Sequence, residues 1–167
     1  LGDGTTQSRT TPEPVTGLTD VVDLQGGRDH VLALKSDGTV WAWGSSAVGQ
    51  LGLGNNTNRS TPTRVPGLAG VIAIEAGRDS SYALLPDRTV RAWGLNADGQ
   101  LGDGTTTNHN SPVTVSGLHD AIAVAAGRDM AYALMADGTV VAWGNNDEGQ
   151  VGDGTTTRRT TPVAVAS

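Results

Sequence analysis

The chain has 167 residues, a net charge of −6, 24 glycines, 7 prolines and no cysteine. This length suffices for one hydrophobic core, and the glycine and proline content predicts frequent turns. The acidic balance argues against nucleic acid or an anionic membrane as a partner, because both attract clustered lysine and arginine. Disulfides and thiolate metal sites are excluded. We find no signal peptide and no spanning segment, and the first residue is Leu1, which predicts a processed or excised chain.

A sequence repeat of 50 residues organises the chain. The triplet Gly-Arg-Asp begins at Gly27, Gly77 and Gly127, and a Trp-Gly pair recurs at the same spacing without insertion. A fixed period of this size predicts a repeat architecture, in which each unit packs against its neighbours. We divide the chain into a spare outer-strand segment and three repeats: 1–17, 18–67, 68–117 and 118–167.

Each repeat predicts four short strands. The first is small and apolar, which is typical of a strand buried on both faces: 21–24, 71–74 and 121–124. The second and third strands come in pairs: 30–35 with 39–43, 80–85 with 89–93, and 130–135 with 139–143. The fourth contains a proline and fits only a sheet edge, at 61–65, 111–115 and 161–165, with Thr11–Val15 as its spare copy.

The link between the second and third strands carries Asp-Gly at Asp37 and Asp137. This pair predicts a two-residue hairpin, in which both turn positions need positive φ. Arg88 takes the place of the glycine in the middle repeat, so we expect a backbone strain of about 1 kcal/mol there.

Four antiparallel strands per repeat, ending in an outer edge strand, predict an all-β fold of β-propeller blades. The chain supplies about three and a third blades in one continuous propeller sector. An arc of three blades leaves two apolar end faces bare, and exposed patches of that size mark interfaces. We therefore expect the ring to close within a longer chain or by self-association, with a homodimer favoured.

The residues also carry a family resemblance. The order G-x-x-H/S-x-x-A-L-x-x-D-G-x-V-x-A-W-G-x-N-x-x-G-Q-L-G-x-G, followed by the proline strand, resembles the regulator of chromosome condensation repeat over essentially the whole chain. The resemblance implies a seven-bladed propeller, of which this chain holds fewer than half the blades, and a role as a binding platform. The Asp-Gly-Thr and Asn-Thr-rich loops resemble those of bacterial members, some of which inhibit β-lactamases through one face. This favours a bacterial protein, secreted or at the cell surface, over a cytoplasmic one.

Variable residues beside an unvarying Arg-Asp pair predict a contact surface at one mouth of the propeller axis. The alternative is structural: each Asp bonds the backbone of its turn, while the Arg pairs with it or with a neighbouring blade. Trp41 has no counterpart in the other repeats and is either a packing or a contact residue. The candidate partner-binding residues are Arg28, Asp29, His30, Trp41, Arg78, Asp79, Ser80, Arg128, Asp129 and Met130.

Other recurring side chains are expected to be structural. The repeated tryptophans, Trp43, Trp93 and Trp143, are predicted to pack between blades. The carboxylates of the long loops are interpreted as turn residues rather than a Ca²⁺ site, because the acidic order of an EF-hand is absent. The three histidines lie at different repeat positions, and no nucleophile or phosphate-binding motif occurs. We therefore predict no catalytic residue, no metal site and no cofactor.

These observations predict a non-enzymatic protein-interaction scaffold. Its axial mouth and long polar loops would bind a protein, including copies of the chain itself, but no nucleic acid and no membrane. One alternative is a self-assembling propeller fragment with no separate activity. The other, implied by the family's founding member, is guanine nucleotide exchange on a small GTPase with chromatin binding. Exchange needs a full ring and an inserted wedge, and three repeats of equal length contain no insertion.

Overall fold

The structure is a computed structural model that describes residues 1–166. These residues form three antiparallel sheets of four strands, and the strands of each sheet lie side by side in chain order. The first blade contains β1 (Val21–Gly26), β2 (His30–Lys35), β3 (Val40–Gly44) and β4 (Arg59–Arg64). The second contains β5 (Ala73–Ala76), β6 (Ser80–Leu84), β7 (Val90–Gly94) and β8 (His109–Thr114). The third contains β9 (Ala121–Ala126), β10 (Met130–Met135), β11 (Val140–Gly144) and β12 (Arg159–Ala164).

The predicted all-β propeller blades are confirmed, and the three blades form an open arc rather than a closed ring. Residues 1–166 contain no helix of the length and apolarity needed to cross a bilayer. β1 contacts β5 and β5 contacts β9, so these strands surround the propeller axis, whereas β4, β8 and β12 are outer edges. Each outer strand contains one proline, as predicted: Pro62, Pro112 and Pro162. Opposite Pro62 the pairing of β3 with β4 shifts register, so the missing N–H falls in a bulge.

The connection between β2 and β3 differs from the predicted two-residue turn. The Lys35 N–H donates to the Thr39 carbonyl at 3.0 Å, and the Gly38 N–H donates to the Lys35 carbonyl at 2.9 Å. This geometry is a three-residue loop whose last residue closes a bulge. Only that last residue has positive φ: Gly38 at 74°, Arg88 at 62° and Gly138 at 85°. The positive φ predicted for the preceding aspartate is therefore wrong, while Arg88 occupies the left-handed region as expected.

The innermost strands are not buried on both faces, which corrects the prediction. Val22, Ile72 and Ile122 occupy equivalent positions and are 63%, 56% and 49% exposed. Ile72 belongs to the middle blade, which has a neighbour on each side, so its exposure is not an end effect.

The hydrophobic core lies between the blades. Leu32, Leu34 and Val40 of the first blade pack with Ile74 and Trp93 of the second, and all five are buried. Equivalent residues form the same cluster between the second and third blades. The predicted packing between blades is confirmed for Trp93 and Trp143, whereas the buried Trp43 lies against Gly2 of the N-terminal segment instead of a neighbouring blade.

The N-terminal segment, residues 1–17, contains no strand, so the strand predicted at Thr11–Val15 is wrong. Its equivalent β4 pairs with β3 of its own sheet. Within residues 1–166 no strand equivalent to β3 lies beside the N-terminal segment. The backbone of this segment therefore pairs with no sheet. The segment lies against the first blade instead, where the Gly4 N–H donates to the Ser60 carbonyl at 3.0 Å.

Candidate protein-binding face

The tight turns and the long loops of all three blades emerge at one end of the arc. Because antiparallel strands alternate in direction, the β1–β2 turn and the β3–β4 loop lie at the same end, and His30 pairs with Gly44. The Ser45 N–H donates to the Asp29 carbonyl at 2.7 Å, and equivalent bonds join turn to loop in the other two blades. We call this end the loop face. It comprises residues 26–30, 45–58, 76–80, 95–108, 126–130 and 145–158.

A shallow concavity of about 310 Å³ lies at the centre of the loop face. The turns that surround it approach closely, since the Arg28 N–H donates to the Arg78 carbonyl of the next blade at 2.9 Å. A Cβ on Gly27 would lie 2.7 Å from the Gly77 carbonyl oxygen, so this approach requires glycine. The concavity is lined by Gly26, Gly27, Arg28, Ala76, Gly77, Arg78, Ala126, Gly127 and Arg128.

Arginine and aspartate side chains alternate around this mouth. Arg28 lies 2.8 Å from Asp29 of its own turn and 3.0 Å from Asp79 of the second blade. Arg78 also approaches Asp79, at 3.4 Å, and the equivalent pair of the third blade is 3.1 Å apart. The mouth is therefore a surface of mixed charge with no excess of either sign.

The structure divides the predicted contact residues into two groups. His30, Asp79 and Ser80 are buried between blades, at 2%, 5% and 2% exposure, and cannot touch a partner in this arc. The His30 ring reaches Ser81 of the following blade, so this side chain belongs to the junction between blades. Met130 is partly exposed, since within residues 1–166 no blade lies beyond the third. The predicted residues that reach solvent at the mouth are Arg28, Asp29, Arg78, Arg128, Asp129 and Met130.

His30 is the polar centre of the first junction. Its Nε2 lies 3.0 Å from the Ser81 hydroxyl, which donates to the Gln50 carbonyl at 2.8 Å. Because that hydroxyl proton is already engaged, we assign the imidazole proton to Nε2. Burial lowers the pKa of His30 to about 4, and the carboxylates of Asp79 and Asp29 only partly oppose this. Since Ser81 is fully buried, the pair joins two blades and presents no nucleophile to a substrate.

A recurring glutamine links the junctions, a role that its sequence position alone does not predict. The Gln50 carbonyl accepts the indole N–H of Trp93 at 3.0 Å, and the Gln100 carbonyl accepts that of Trp143 at 2.8 Å. The Gln100 carbonyl also accepts the buried Tyr82 hydroxyl at 2.7 Å. The sequence shows that glutamine recurs at Gln50, Gln100 and Gln150, which marks the position as important. It does not show that the backbone carbonyl, and not the side chain, accepts the indole N–H.

Trp41 is remote from the mouth. It lies in the middle of β3, where it pairs with Ala33 and Arg64. Its indole N–H donates to the Thr39 hydroxyl at 3.2 Å, and the Lys35 ammonium lies 5.8 Å from the ring centre. The ring is half buried on the side of the first blade, so it does not belong to the loop face.

The carboxylates of the long loops hold the loop backbone. Asp103 accepts bonds from the Thr105 N–H and hydroxyl, both at 2.9 Å, and from the buried Asn96 amide at 3.0 Å. Burial raises the pKa of Asp103, but these hydrogen bonds outweigh it and the pKa is lowered overall. Asp153 has the same surroundings, and its pKa is lowered to about 2, mainly by the Thr155 hydroxyl. Within residues 1–166 no three potential metal-ligating side chains come together.

Two family profiles match the chain. Residues 37–84, 89–134 and 137–167 match one described as the regulator of chromosome condensation (RCC1) repeat. A second profile with the same description matches residues 21–50, 71–100 and 121–150. The matches cover most of the chain and recur with the repeat period.

Solved structures share the fold. Prp20p from Saccharomyces cerevisiae, whose structure was described with its binding to Gsp1p and histones, is 22% identical over 93% of this chain, with a TM-score of 0.82. Human WBSCR16 is 29% identical over 87% of the chain, with a TM-score of 0.76. The ectodomain of the receptor kinase CR4 from Physcomitrella patens is 18% identical over 81%, with a TM-score of 0.54. The matches span only 40%, 38% and 34% of those proteins.

Proposed function

The chain belongs to the regulator of chromosome condensation (RCC1) repeat family, and on this premise we propose that it is a non-enzymatic scaffold whose loop face docks a protein partner. One observation carries the proposal: the tight turns and the long loops of all three blades gather at one end, around one shallow mouth. Propellers of this family commonly mediate protein interaction. Loops held by a rigid scaffold are where binding residues concentrate.

The shape and chemistry of the loop face suit a protein rather than a small molecule. Small-molecule sites are concave and lined mainly by apolar side chains. The mouth is shallow and is lined by glycine, alanine and arginine. Protein interfaces combine polar rims with arginine and with mixed charge that selects the partner. The pair Arg28–Asp29 is exposed and the pair Arg128–Asp129 is partly exposed, and together they supply such a pattern.

The tips of the long loops have the same backbone hydrogen bond in each blade but differ in sequence. The glutamine side-chain carbonyl of each repeat accepts a loop N–H, so the tips share one conformation. The residue that donates this N–H differs between repeats: Val48, Asp98 and Glu148. In the third blade the tip borders a depression of about 380 Å³ lined by Arg128, Asp129, Met130, Asn145, Asp147, Glu148 and Gln150.

Affinity capture with paired variants tests the proposal. The double variant Arg128→Glu with Glu148→Lys reverses two exposed charges of the loop face without changing the net charge. The control, Ser36→Lys with Ala136→Glu, alters two exposed residues of the opposite, hairpin end and is also neutral overall. We expect the loop-face variant to weaken capture of a partner by about tenfold or more, and the control to leave it unchanged. Loss of capture in the control alone would reject the loop face.

Guanine nucleotide exchange is not proposed for this chain. At 22% identity, the likeness to Prp20p establishes the fold alone, and the chain spans 40% of that protein. Binding to Gsp1p and to histones is a property of Prp20p. The three repeats have equal lengths, and the long loop after the third strand has the same length in each: 45–58, 95–108 and 145–158.

A further inference from the structure

The two junctions between blades carry different side chains on the loop face. Building on the function proposed above, we propose that Val48 and Leu95 form an apolar patch over the first junction, between the first and second blades, and that this patch receives an uncharged apolar segment of the protein partner. Residues of the described chain form both sides of this junction, so its surface is complete in this structure.

Leu95 stands where the other two blades hold a polar residue. The backbone is the same in all three: the Leu95 N–H donates to the Asp79 carbonyl at 2.9 Å, and Ser45 and Asn145 make the equivalent bond. The leucine side chain is half buried, and neither hydrophobic cluster between the blades includes it. Core packing therefore does not account for an apolar residue at this position.

This leucine leaves a buried glutamine without a partner. The Gln50 side-chain amide donates to the Ser45 hydroxyl at 3.4 Å, and the Gln150 amide donates to the Asn145 side-chain oxygen. Gln100 is fully buried, and its Nε2 has no hydrogen-bond partner within residues 1–166. Because an unpaired buried donor lowers stability, the leucine weakens its own loop. A residue that lowers stability and adds nothing to the core is a candidate for function.

The tip of the preceding loop adds a second apolar side chain. Val48 is half buried, whereas its equivalents in the other blades, Asp98 and Glu148, are acidic. It lies two residues before Gln50, whose Cα would be 3.2 Å from a Cβ on Gly94, the residue before the leucine. The valine and the leucine therefore border the same junction from its two sides.

The second junction, between the second and third blades, is closed by an ion pair instead. The residues equivalent to the patch are Asp98 and Asn145, and both are polar. The Arg158 guanidinium lies 2.7 Å from the Asp98 carboxylate and donates to the carbonyl of the preceding residue at 3.0 Å. Asn108 replaces this arginine at the first junction, and its side chain accepts the Asn96 N–H of its own loop at 2.8 Å. The apolar patch is therefore not bridged by the ion pair that covers its equivalent.

The charges around the patch favour an uncharged partner segment. The first long loop, residues 45–58, contains no charged side chain. At the mouth beside it, Arg28 pairs with Asp29 and Asp79, and Arg78 pairs with Asp79. A charged partner group would find no unpaired opposite charge here, whereas an aliphatic or aromatic side chain would cover the patch. An apolar centre with a polar rim is the usual composition of a protein interface.

Leu95→Asn tests the patch, because it installs the residue of the third blade. The asparagine gives the Gln100 amide an acceptor and removes the apolar side chain from the loop face. We expect the melting temperature of the chain to rise by about 2 °C or more, and the affinity for the partner to fall by about tenfold or more. The probe for affinity is the protein that the parent chain captures, purified and titrated against each variant. A lower melting temperature would show that the leucine serves the fold, and an unchanged affinity would show that it does not contact the partner; either result overturns the proposal.

Ile72→Asn is the matched control, since Ile72 is 56% exposed and lies outside the loop face. It removes an exposed aliphatic side chain of similar size, so we expect the affinity for the same probe to stay unchanged. A loss as large as that of Leu95→Asn would show that the effect is not specific to the patch and would overturn the proposal.

The loop-face charge reversal, Arg128→Glu with Glu148→Lys, separates this proposal from the proposed function. If the charge reversal weakens binding of the probe and Leu95→Asn does not, the patch is wrong and the loop face stands. If neither variant weakens binding, both the patch and the loop face are wrong.

Discussion

Acidification is expected to loosen the junction between the first and second blades through His30. Burial lowers its pKa from an ordinary value of 6.5 to about 4 in the folded chain. The unfolded chain therefore binds the proton more tightly than the folded chain. The neutral, buried His30 favours folding fully above about pH 6.5, and this contribution is lost as the pH falls toward about 4.

The size of the effect follows from the same two pKa values. A tenfold difference in proton affinity corresponds to about 1.4 kcal/mol at 25 °C. A pKa of about 4 instead of 6.5 thus amounts to about 3 kcal/mol between neutral pH and pH 4. Domains are typically stable by about 5 to 15 kcal/mol, so this loss is a large fraction of the total. When His30 is protonated, its buried Nδ1–H has no hydrogen-bond acceptor among residues 1–166.

Urea unfolding, followed by tryptophan fluorescence at a series of pH values, measures this loss. The comparison variant is His30→Met, because Met130 holds the equivalent position in the third blade. Carboxylates titrate in both proteins, so the difference between the two curves isolates the histidine. We expect the parent chain to lose about 3 kcal/mol more than the variant between about pH 7 and pH 4. Parallel curves would show that His30 does not cause this loss of stability.

Three further predictions concern single turns and junctions and are tested by thermal or urea unfolding. Arg88→Gly should stabilise the chain by about 1 kcal/mol by relieving positive φ; a lower melting temperature would contradict the strain. Tyr82→Phe should cost about 1 kcal/mol and Tyr132→Phe less, because only the first hydroxyl is bonded in a fully buried site; equal costs would contradict this. Gly52→Ala should cost more than Gly54→Ala, since both have positive φ but only the first meets a buried indole ring, and equal costs would argue against that contact.

The repeat period made the fold predictable. Strand order, blade number and the buried tryptophans follow from a local pattern repeated three times, because each blade forms its sheet from consecutive strands. The edge position of Pro62 followed from its missing N–H. The observed strands lie within two residues of the predicted ones, apart from the N-terminal segment. These features depend on neighbours in sequence, which a sequence pattern records.

The candidate site was predicted only in part, because burial depends on the neighbouring blade. His30 and Ser80 vary between repeats as contact residues do, yet the following blade covers both. Thr11–Val15 has the sequence of an outer strand, but pairing needs a third strand beside it. The three-residue hairpin loop was missed because Asp-Gly suits both turn types, and the choice rests on backbone register.

Hydrogen exchange of the chain bound to a captured partner tests the loop face most directly. We expect slower exchange of backbone amides in the turns 26–30, 76–80 and 126–130 and in the long loops that follow each third strand. The hairpin loops at the opposite end, 36–38, 86–88 and 136–138, should exchange at the same rate with and without the partner. Protection confined to those hairpin loops, with the turns around the mouth unchanged, would show that the partner does not bind the loop face.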